Sequence, residues 1–243
     1  MSKEPLSRRA RYRIDTREEA KEIALRQLAE GGIGAVSLNA IGKEMGLTGP
    51  ALYRYFASRD DLLNGLIIDA YSDLAAAMEV AAQQNNPGAP RECLRALAEA
   101  FRAWALAQPH RYLLLYGTPV PGYVAPADTV PLARRILAPF LDALRALPVA
   151  EAPAGSHLAA LETQLATWAQ ATDQQQMAAP ALRRGLIAWT RLHGLISLEV
   201  EGHFALMGFD PALLYATEVD ALLDELGAGG RATAEGIDAP PRP

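Results

Sequence analysis

The sequence predicts an all-α protein, built as a small N-terminal three-helix bundle followed by a larger helical domain. Alanine accounts for 47 of the 243 residues, and alanine is the strongest helix former. Apolar residues recur at intervals of three and four throughout, whereas no stretch alternates strictly between apolar and polar for more than a few residues, so the period is helical. Start and stop signals punctuate these runs, with Ser or Thr before them and Gly or Pro after them.

The first helix is expected to open at Thr16, with Glu19 three residues on completing a capping box. Its apolar stripe runs through Ala20, Ile23, Ala24, Gln27 and Leu28, and Gly31-Gly32 stops it. Ser37 caps a short second helix carrying Leu38, Ile41 and Met45, ended by Gly46. Thr48 caps a third, with Pro50 tolerated in its first turn, running to about Phe56. Ser58, with Asp61 three residues on, opens a long helix through Leu62, Leu63, Leu66, Ile67, Ala70 and Leu74 to about Gln84. Beyond a break at 85–90, helices are expected over 91–108, 110–117, 130–147, 156–171, 180–205 and 210–226. Between Gly117 and Pro131 stand Pro119, Pro121, Gly122 and Pro126, so a long loop near a functional opening is expected there. From Gly227 the chain is rich in Gly, Ala and Pro and is expected to be a disordered tail. The resulting divisions are a basic arm at 1–15, a compact helical module at 16–66, a helical body at 67–226 and the tail at 227–243.

Composition narrows the function. Half of the residues are hydrophobic, 21% are charged, and Cys93 is the single cysteine, which excludes a disulfide framework and a thiolate metal site. No apolar run of about 18 residues and no signal-peptide core is present, so membrane insertion and secretion are not expected and a cytoplasmic location is. A net charge of −5 argues against a surface that binds nucleic acid everywhere. Its distribution is uneven: residues 1–60 hold eleven Lys/Arg against eight Asp/Glu, a net of +3, which leaves −8 for the remainder. An anion-facing module on a larger acidic body fits this asymmetry.

Three short helices, the second and third joined by Met45-Gly46-Leu47-Thr48, have the dimensions of a helix-turn-helix. At about 100° per residue, Leu52 and Phe56 share the inner side of the third helix. Arg54 lies opposite, Pro50 and Ala51 beside it, and Tyr53 and Tyr55 flank that outer face. A guanidinium, two phenols and small residues suit a major groove. These residues alone describe a solvated bundle helix equally well.

The run Leu47-Thr48-Gly49-Pro50-Ala51-Leu52-Tyr53-Arg54-Tyr55-Phe56-Ala57-Ser58-Arg59-Asp60-Asp61-Leu62-Leu63, preceded by Val36-Ser37-Leu38-Asn39-Ala40-Ile41-Gly42-Lys43-Glu44-Met45-Gly46, closely resembles the DNA-binding domain of the tetracycline-repressor (TetR) family of transcriptional regulators. The resemblance implies that Tyr53 and Arg59, where lysine is usual, hold backbone phosphates. It also implies that Ser37, Asn39, Thr48, Gly49, Ala51 and Tyr55 face DNA. Gly49 and Ala51 bring no side-chain hydrogen-bonding group, so base readout falls to Asn39, Arg54 and Tyr55, with Ala51 against a thymine methyl. Arg8, Arg9, Arg11 and Arg13 fit either a basic arm on DNA or a merely soluble terminus.

Trp189-Thr190-Arg191-Leu192-His193-Gly194-Leu195, followed by Leu198-Glu199-Val200-Glu201-Gly202, resembles the Trp…His-Gly signature of one ligand-domain subgroup of that family. This helix is apolar nearly all round, hence buried on two sides. The resemblance implies that one side meets a partner in a dimer made with the last helix. Asp210-Pro211 begins that helix, and Leu213, Leu214, Leu222, Leu223 and Leu226 are its apolar contacts. Glu199 and His203 are four apart on one helix face, but the ten residues back to His193 put it far round the axis and no third ligand has suitable spacing, so no metal is expected. Cys93 reads as a small buried hydrophobe. No phosphate loop, nucleophile elbow or metalloprotease motif appears, so neither a catalytic site nor a cofactor is expected. Trp104, Tyr112, Trp168 and His193 are candidate contacts for a small apolar effector, with ordinary core packing the default for each. Together these readings describe a cytoplasmic homodimer that represses transcription from a near-palindromic duplex. The alternative from another class is an all-α enzyme or carrier using the central cavity, and a third is a helical interaction adaptor.

Overall fold

The computed structural model describes residues 7–85, 88–117, 126, 128–147, 155–171 and 177–228. Among them the regular structure is helical: α1 (Arg8–Gly31), a 3-10 turn (Ile33–Ala35), α2 (Leu38–Glu44), α3 (Gly49–Leu52), α4 (Arg59–Gln83), α5 (Pro90–Ala107), α6 (Pro109–Tyr116), α7 (Thr129–Arg145), α8 (His157–Ala171), α9 (Ala179–Val200) and α10 (Pro211–Ala228). Two compact units divide the chain differently from the linear boundaries above. The first comprises Met1–Leu74 with Ala107–Ala133, and the second Ala75–Leu106 with Arg134–Pro243. α4 is one unbroken helix whose residues are shared between the two.

In the first unit, Ala20, Ile23, Ala24 and Leu28 of α1 bury the expected stripe. They pack in one core with Val36, Leu38, Ile41, Leu52, Phe56, Leu62, Leu63 and Leu66. α1 begins earlier than expected. Ser7, not Thr16, is its cap, the Ser7 hydroxyl accepting from the Ala10 N–H at 3.2 Å. Thr16 lies buried inside the helix and donates its hydroxyl to the Tyr12 carbonyl at 2.8 Å. The intervening residues contain neither Gly nor Pro, so nothing stops a helix nucleated at Ser7 from running on. Residues 8–15 are therefore the first turns of α1 rather than an extended arm. At its other end Gly32 takes a left-handed φ of 67°, and its N–H closes on the Leu28 carbonyl at 2.9 Å.

Ser37 caps α2 as expected, accepting from the Ala40 N–H at 3.4 Å, while its own N–H donates to Gln27 Oε1 at 3.0 Å. α3 is a single turn, and Thr48 makes no side-chain cap bond. The expected extension to Phe56 is instead an irregular turn, in which the Tyr55 and Phe56 N–H groups both reach the Leu52 carbonyl, at 2.9 and 3.1 Å. The Ser58-Asp61 start of α4 holds: Ser58 Oγ accepts from the Asp61 N–H at 3.1 Å, and the Asp61 carboxylate accepts from the Ala57 N–H at 2.9 Å.

In the second unit, α9 packs against α8 and α10. Gly185 allows α9 its close approach to α7, since a Cβ there would stand 2.9 Å from Leu144 Cδ1. The Tyr215 hydroxyl of α10 donates to the Ala98 carbonyl of α5 at 2.7 Å. α9 ends at Val200 rather than near 205, because Gly202 adopts a left-handed φ of 79° and turns the chain. Most of the expected loop at 117–131 lies outside the described residues, but α7 already begins at Thr129 and places Pro131 in its first turn, where no N–H is needed. The expected tail lies outside the described residues beyond Ala228.

Candidate nucleic-acid interface

Burying Leu52 and Phe56 completely fixes which side of α3 faces outward. Thr48, Pro50 and Arg54 are exposed there with Tyr53, which is 48% exposed, and Asn39 and Lys43 are exposed on α2. Ser37 and Ala51 are half-buried. Gly49 is the first residue of α3. Tyr55 departs from expectation: it is half-buried and packs against the core, because the turn after Leu52 breaks the helical period that would have carried it outward.

Cations of this unit fall into two sets. Arg8, Arg9, Arg11, Arg13, Lys43 and Arg54 are exposed, and none enters an ion pair among the described residues. The other described cations pair or hydrogen-bond within the unit, Arg111 with Asp73 at 3.1 Å among them. Lys21 pairs with Asp69 at 2.7 Å and Glu18 at 3.0 Å, and Arg26 pairs with Glu44. Arg17 donates to the Tyr55 carbonyl and lies 4.2 Å over the Phe56 ring. Arg59, which the resemblance puts on a phosphate, donates through Nε to the Val36 carbonyl at 3.0 Å and through Nη2 to the Ile33 carbonyl. Arginine–carbonyl bonds across 23 to 38 residues leave no periodic trace in a sequence.

Among the described residues, the four effector candidates line neither of two cavities in the second unit. Trp104 is buried on α5, whereas Trp168 on α8 is 50% exposed. Tyr112 is buried in the first unit, its ring 5.3 Å from that of Tyr116. His193 stacks on Trp189 at 5.3 Å, and Trp189 on Phe101 at 5.1 Å. A small void of about 20 Å³ borders Phe101 and Trp189, too small for an organic ligand. A cleft of about 430 Å³ opens elsewhere in the second unit, with Glu79, Gln83, Cys93, Arg135, Pro139 and Asp142 on its walls, and none of the four candidates lines it. Its apolar lining comes from small residues, among them Ala82, Ala138, Ala143 and Ala146. Ala138 and Ala143 lie on α7 beside its internal Pro139, and Ala146 directly follows that helix, a sequence signal that aromatic residues overshadowed.

Glu199 is also accounted for. Arg102 grips both its oxygens, at 2.8 and 2.5 Å, and His203 lies beyond the end of α9 beside Glu201 at 3.2 Å. Burial pushes the Cys93 thiol up from its ordinary value, toward the inert form.

Burial also holds the His193 imidazole below its ordinary value of 6.5. The unfolded chain therefore takes up this proton first as pH falls, so His193 subtracts nothing from stability well above pH 6.5 and progressively more below it, down to the folded value. His193→Phe preserves a flat ring and removes that dependence. Urea midpoints at about pH 7.5 and 5.5, either side of the ordinary histidine value, should differ less in the variant than in the wild type. Equal differences would show that His193 does not titrate against folding.

Together, an outward single-turn helix on a closed three-helix core and a separate helical unit define the class of helix-turn-helix DNA-binding proteins with an appended helical domain. The family described as "Bacterial regulatory proteins, tetR family" matches residues 22–66, and that described as "Tetracyclin repressor-like, C-terminal domain" matches residues 94–222. The HTH-type transcriptional regulator Rv1816 of Mycobacterium tuberculosis (strain ATCC 25618 / H37Rv) is 36% identical over 225 residues, covering 87% of this chain and 94% of its own. The crystal structure of regulatory protein SCO4313 superposes with a TM-score of 0.78 at 44% identity, covering 90% of this chain and all of that one. The regulator PfmR from Thermus thermophilus shares the fold, with a TM-score of 0.54 at 19% identity over 86% and 97% of the two chains. This chain belongs to the TetR family of DNA-binding transcriptional regulators. Among the described residues, no helix is long and apolar enough to cross a membrane.

Proposed function

We propose that this protein is a cytoplasmic homodimeric repressor that leaves a near-palindromic operator when a small, mainly apolar effector binds. The observation that carries the DNA-binding half is the exposed face formed by Asn39, Thr48, Pro50, Tyr53 and Arg54, in a unit whose exposed Arg8, Arg9, Arg11, Arg13 and Lys43 enter no ion pair among the described residues. Tyr53 and the α1 arginines contact phosphates, Asn39, Thr48 and Arg54 contact base edges, and Ala51 meets a thymine methyl. The DNA-binding domain is residues 16–66 together with the first turns of α1, and the ligand and dimerisation domain spans 67–226.

Dimerisation uses one face of α9. Leu186, Thr190 and Leu198 are exposed at successive turns, Gly194 falls on the same line, and Leu213 and Leu214 are exposed on α10. Leu222 and Leu223 serve the subunit itself, being 5% and 4% exposed within it. The cleft beside Pro139 is the effector site. Its size suits an organic molecule, and its mostly apolar walls carry the few polar groups that orient one. Because α4 supplies residues to the cleft and also begins at the DNA-binding core, it is the element through which the two ligands couple. Reciprocity then requires operator DNA to lower effector affinity by the factor that effector lowers operator affinity.

Selection of duplexes from a random library tests this reading, and failure to enrich any sequence would refute it. On the selected duplex, Tyr53→Phe should weaken binding by about tenfold through loss of one hydrogen bond to a charged acceptor. It should weaken a shuffled duplex equally. Arg54→Ala should instead change which sequences are selected. A sequence-dependent effect of Tyr53→Phe would move Tyr53 from the phosphates to the bases.

A further inference from the structure

We infer that Arg59 and Arg17 are positioning residues that fix the direction of α3 from its two sides, and that Arg59 is not a phosphate ligand. α3 has four residues and no side-chain cap, so it cannot orient itself. Beyond the buried Leu52 side chain and the packing of α3 on α2, its direction depends on the segments before α2 and after Leu52. Arg59, at the start of α4, ties the first segment down by donating to the Ile33 and Val36 carbonyls, at the start of the 3-10 turn and just after it. Arg17, on α1, ties down the second by donating to the Tyr55 carbonyl and covering the Phe56 ring. The Val36 and Tyr55 carbonyls lie outside the helical ladders and need donors from elsewhere, and Ile33 stands at the very edge of its 3-10 turn. A planar guanidinium supplies two donors at a fixed angle, one for each carbonyl flanking a tight turn, and an ammonium does not. Spending Nε and Nη2 on the protein turns Arg59 inward, toward the segment that carries the Ser37 cap of α2.

The two roles differ in what they predict, and the inference rests on the DNA-binding reading above. The probes are the duplex the wild type selects and a shuffled duplex of the same length, each titrated with protein over a range of KCl concentrations. Positioning predicts that Arg59→Lys loses at least tenfold on the selected duplex and nothing on the shuffled one. Arg59→Gln should lose the same discrimination while the salt slope of shuffled-duplex binding stays unchanged. A phosphate contact predicts that Arg59→Lys binds like the wild type and that Arg59→Gln weakens both duplexes while the slope falls by about one. Either result would overturn the inference. Arg17→Lys is the second variant, and it must also lose discrimination without losing shuffled-duplex affinity; wild-type discrimination there overturns the role of Arg17. Hydrogen exchange without DNA gives an independent reading, which stands even where selection returns no duplex. Amides at 33–37 should exchange faster in Arg59→Lys and those at 53–57 faster in Arg17→Lys, and unchanged rates would refute the brace itself.

Discussion

Gly194→Arg should yield a folded monomer whose operator affinity is lower by two orders of magnitude or more. Nothing stands within 4 Å of the position a Cβ would take at Gly194, so the new side chain enters open space without straining the subunit. Replacing a mid-helix glycine also favours α9 by up to about 1 kcal/mol. In a dimer packed along Leu186, Thr190, Gly194 and Leu198, the same guanidinium would be driven into an apolar seam with no partner. Losing the second subunit removes the second half-site, and the linked gain of two-site binding is about 10²–10⁴. Sedimentation velocity, far-UV circular dichroism and operator titration on one preparation decide the matter: a variant that remains a dimer places the interface elsewhere. Gly185 on the same helix is the counter-example, because a Cβ there already meets Leu144, and Gly185→Arg should unfold the second unit. Leu222→Glu and Leu223→Glu, the substitutions the sequence invites, should likewise unfold the subunit before they report on any interface.

Phe56→Ala should lower the stability of the first unit by about 3–5 kcal/mol, the usual cost of emptying a fully buried aromatic site. That is a large part of the roughly 5–15 kcal/mol typical of a domain. Phe56 is wholly buried in the core that holds Leu52, Ile41 and Leu63, and it is also the ring beneath the Arg17 guanidinium, so the substitution removes packing and a cation–π contact together. Urea unfolding followed by far-UV circular dichroism measures the loss. Tyr53→Ala, three residues away but half-exposed, should shift the midpoint little. Equal losses in the two variants would mean that the core is not organised around Phe56.

Both expectations draw on features the sequence shows unevenly. The stripe of α1, the Ser37 and Ser58 caps and the inward pair Leu52 and Phe56 were legible, because each is a local pattern with a local cause. The start of α1 was not: Thr16 and Glu19 have the spacing of a capping box, and only the presence of Ser7 and an unbroken run of helix formers overrides it. Helical periodicity carries Tyr55 outward only while the helix continues, and the turn that follows the single-turn α3 breaks it. The functions of Arg17 and Arg59 depend on carbonyls far along the chain, which residue types and spacings do not encode. For the proposed effector site, aromatic residues mark a packed core, while the cleft is defined by what α7 and the residue after it lack: side chains beyond Cβ at Ala138, Ala143 and Ala146.

The single turn of α3 also limits how much information one subunit can read. Asn39, Thr48 and Arg54 are the side chains proposed above for base edges, at roughly one base pair each, so the proposed dimer would read about six pairs directly. Six pairs recur by chance about once in every 4,000, or on the order of a thousand times in a bacterial chromosome of several million base pairs. Direct contacts therefore narrow the search without completing it. The remaining discrimination must come from the spacing of two half-sites and from how readily the untouched base pairs between them bend and twist. An operator for this protein should tolerate little change in length at its centre, and its central sequence should matter even where no side chain reaches it.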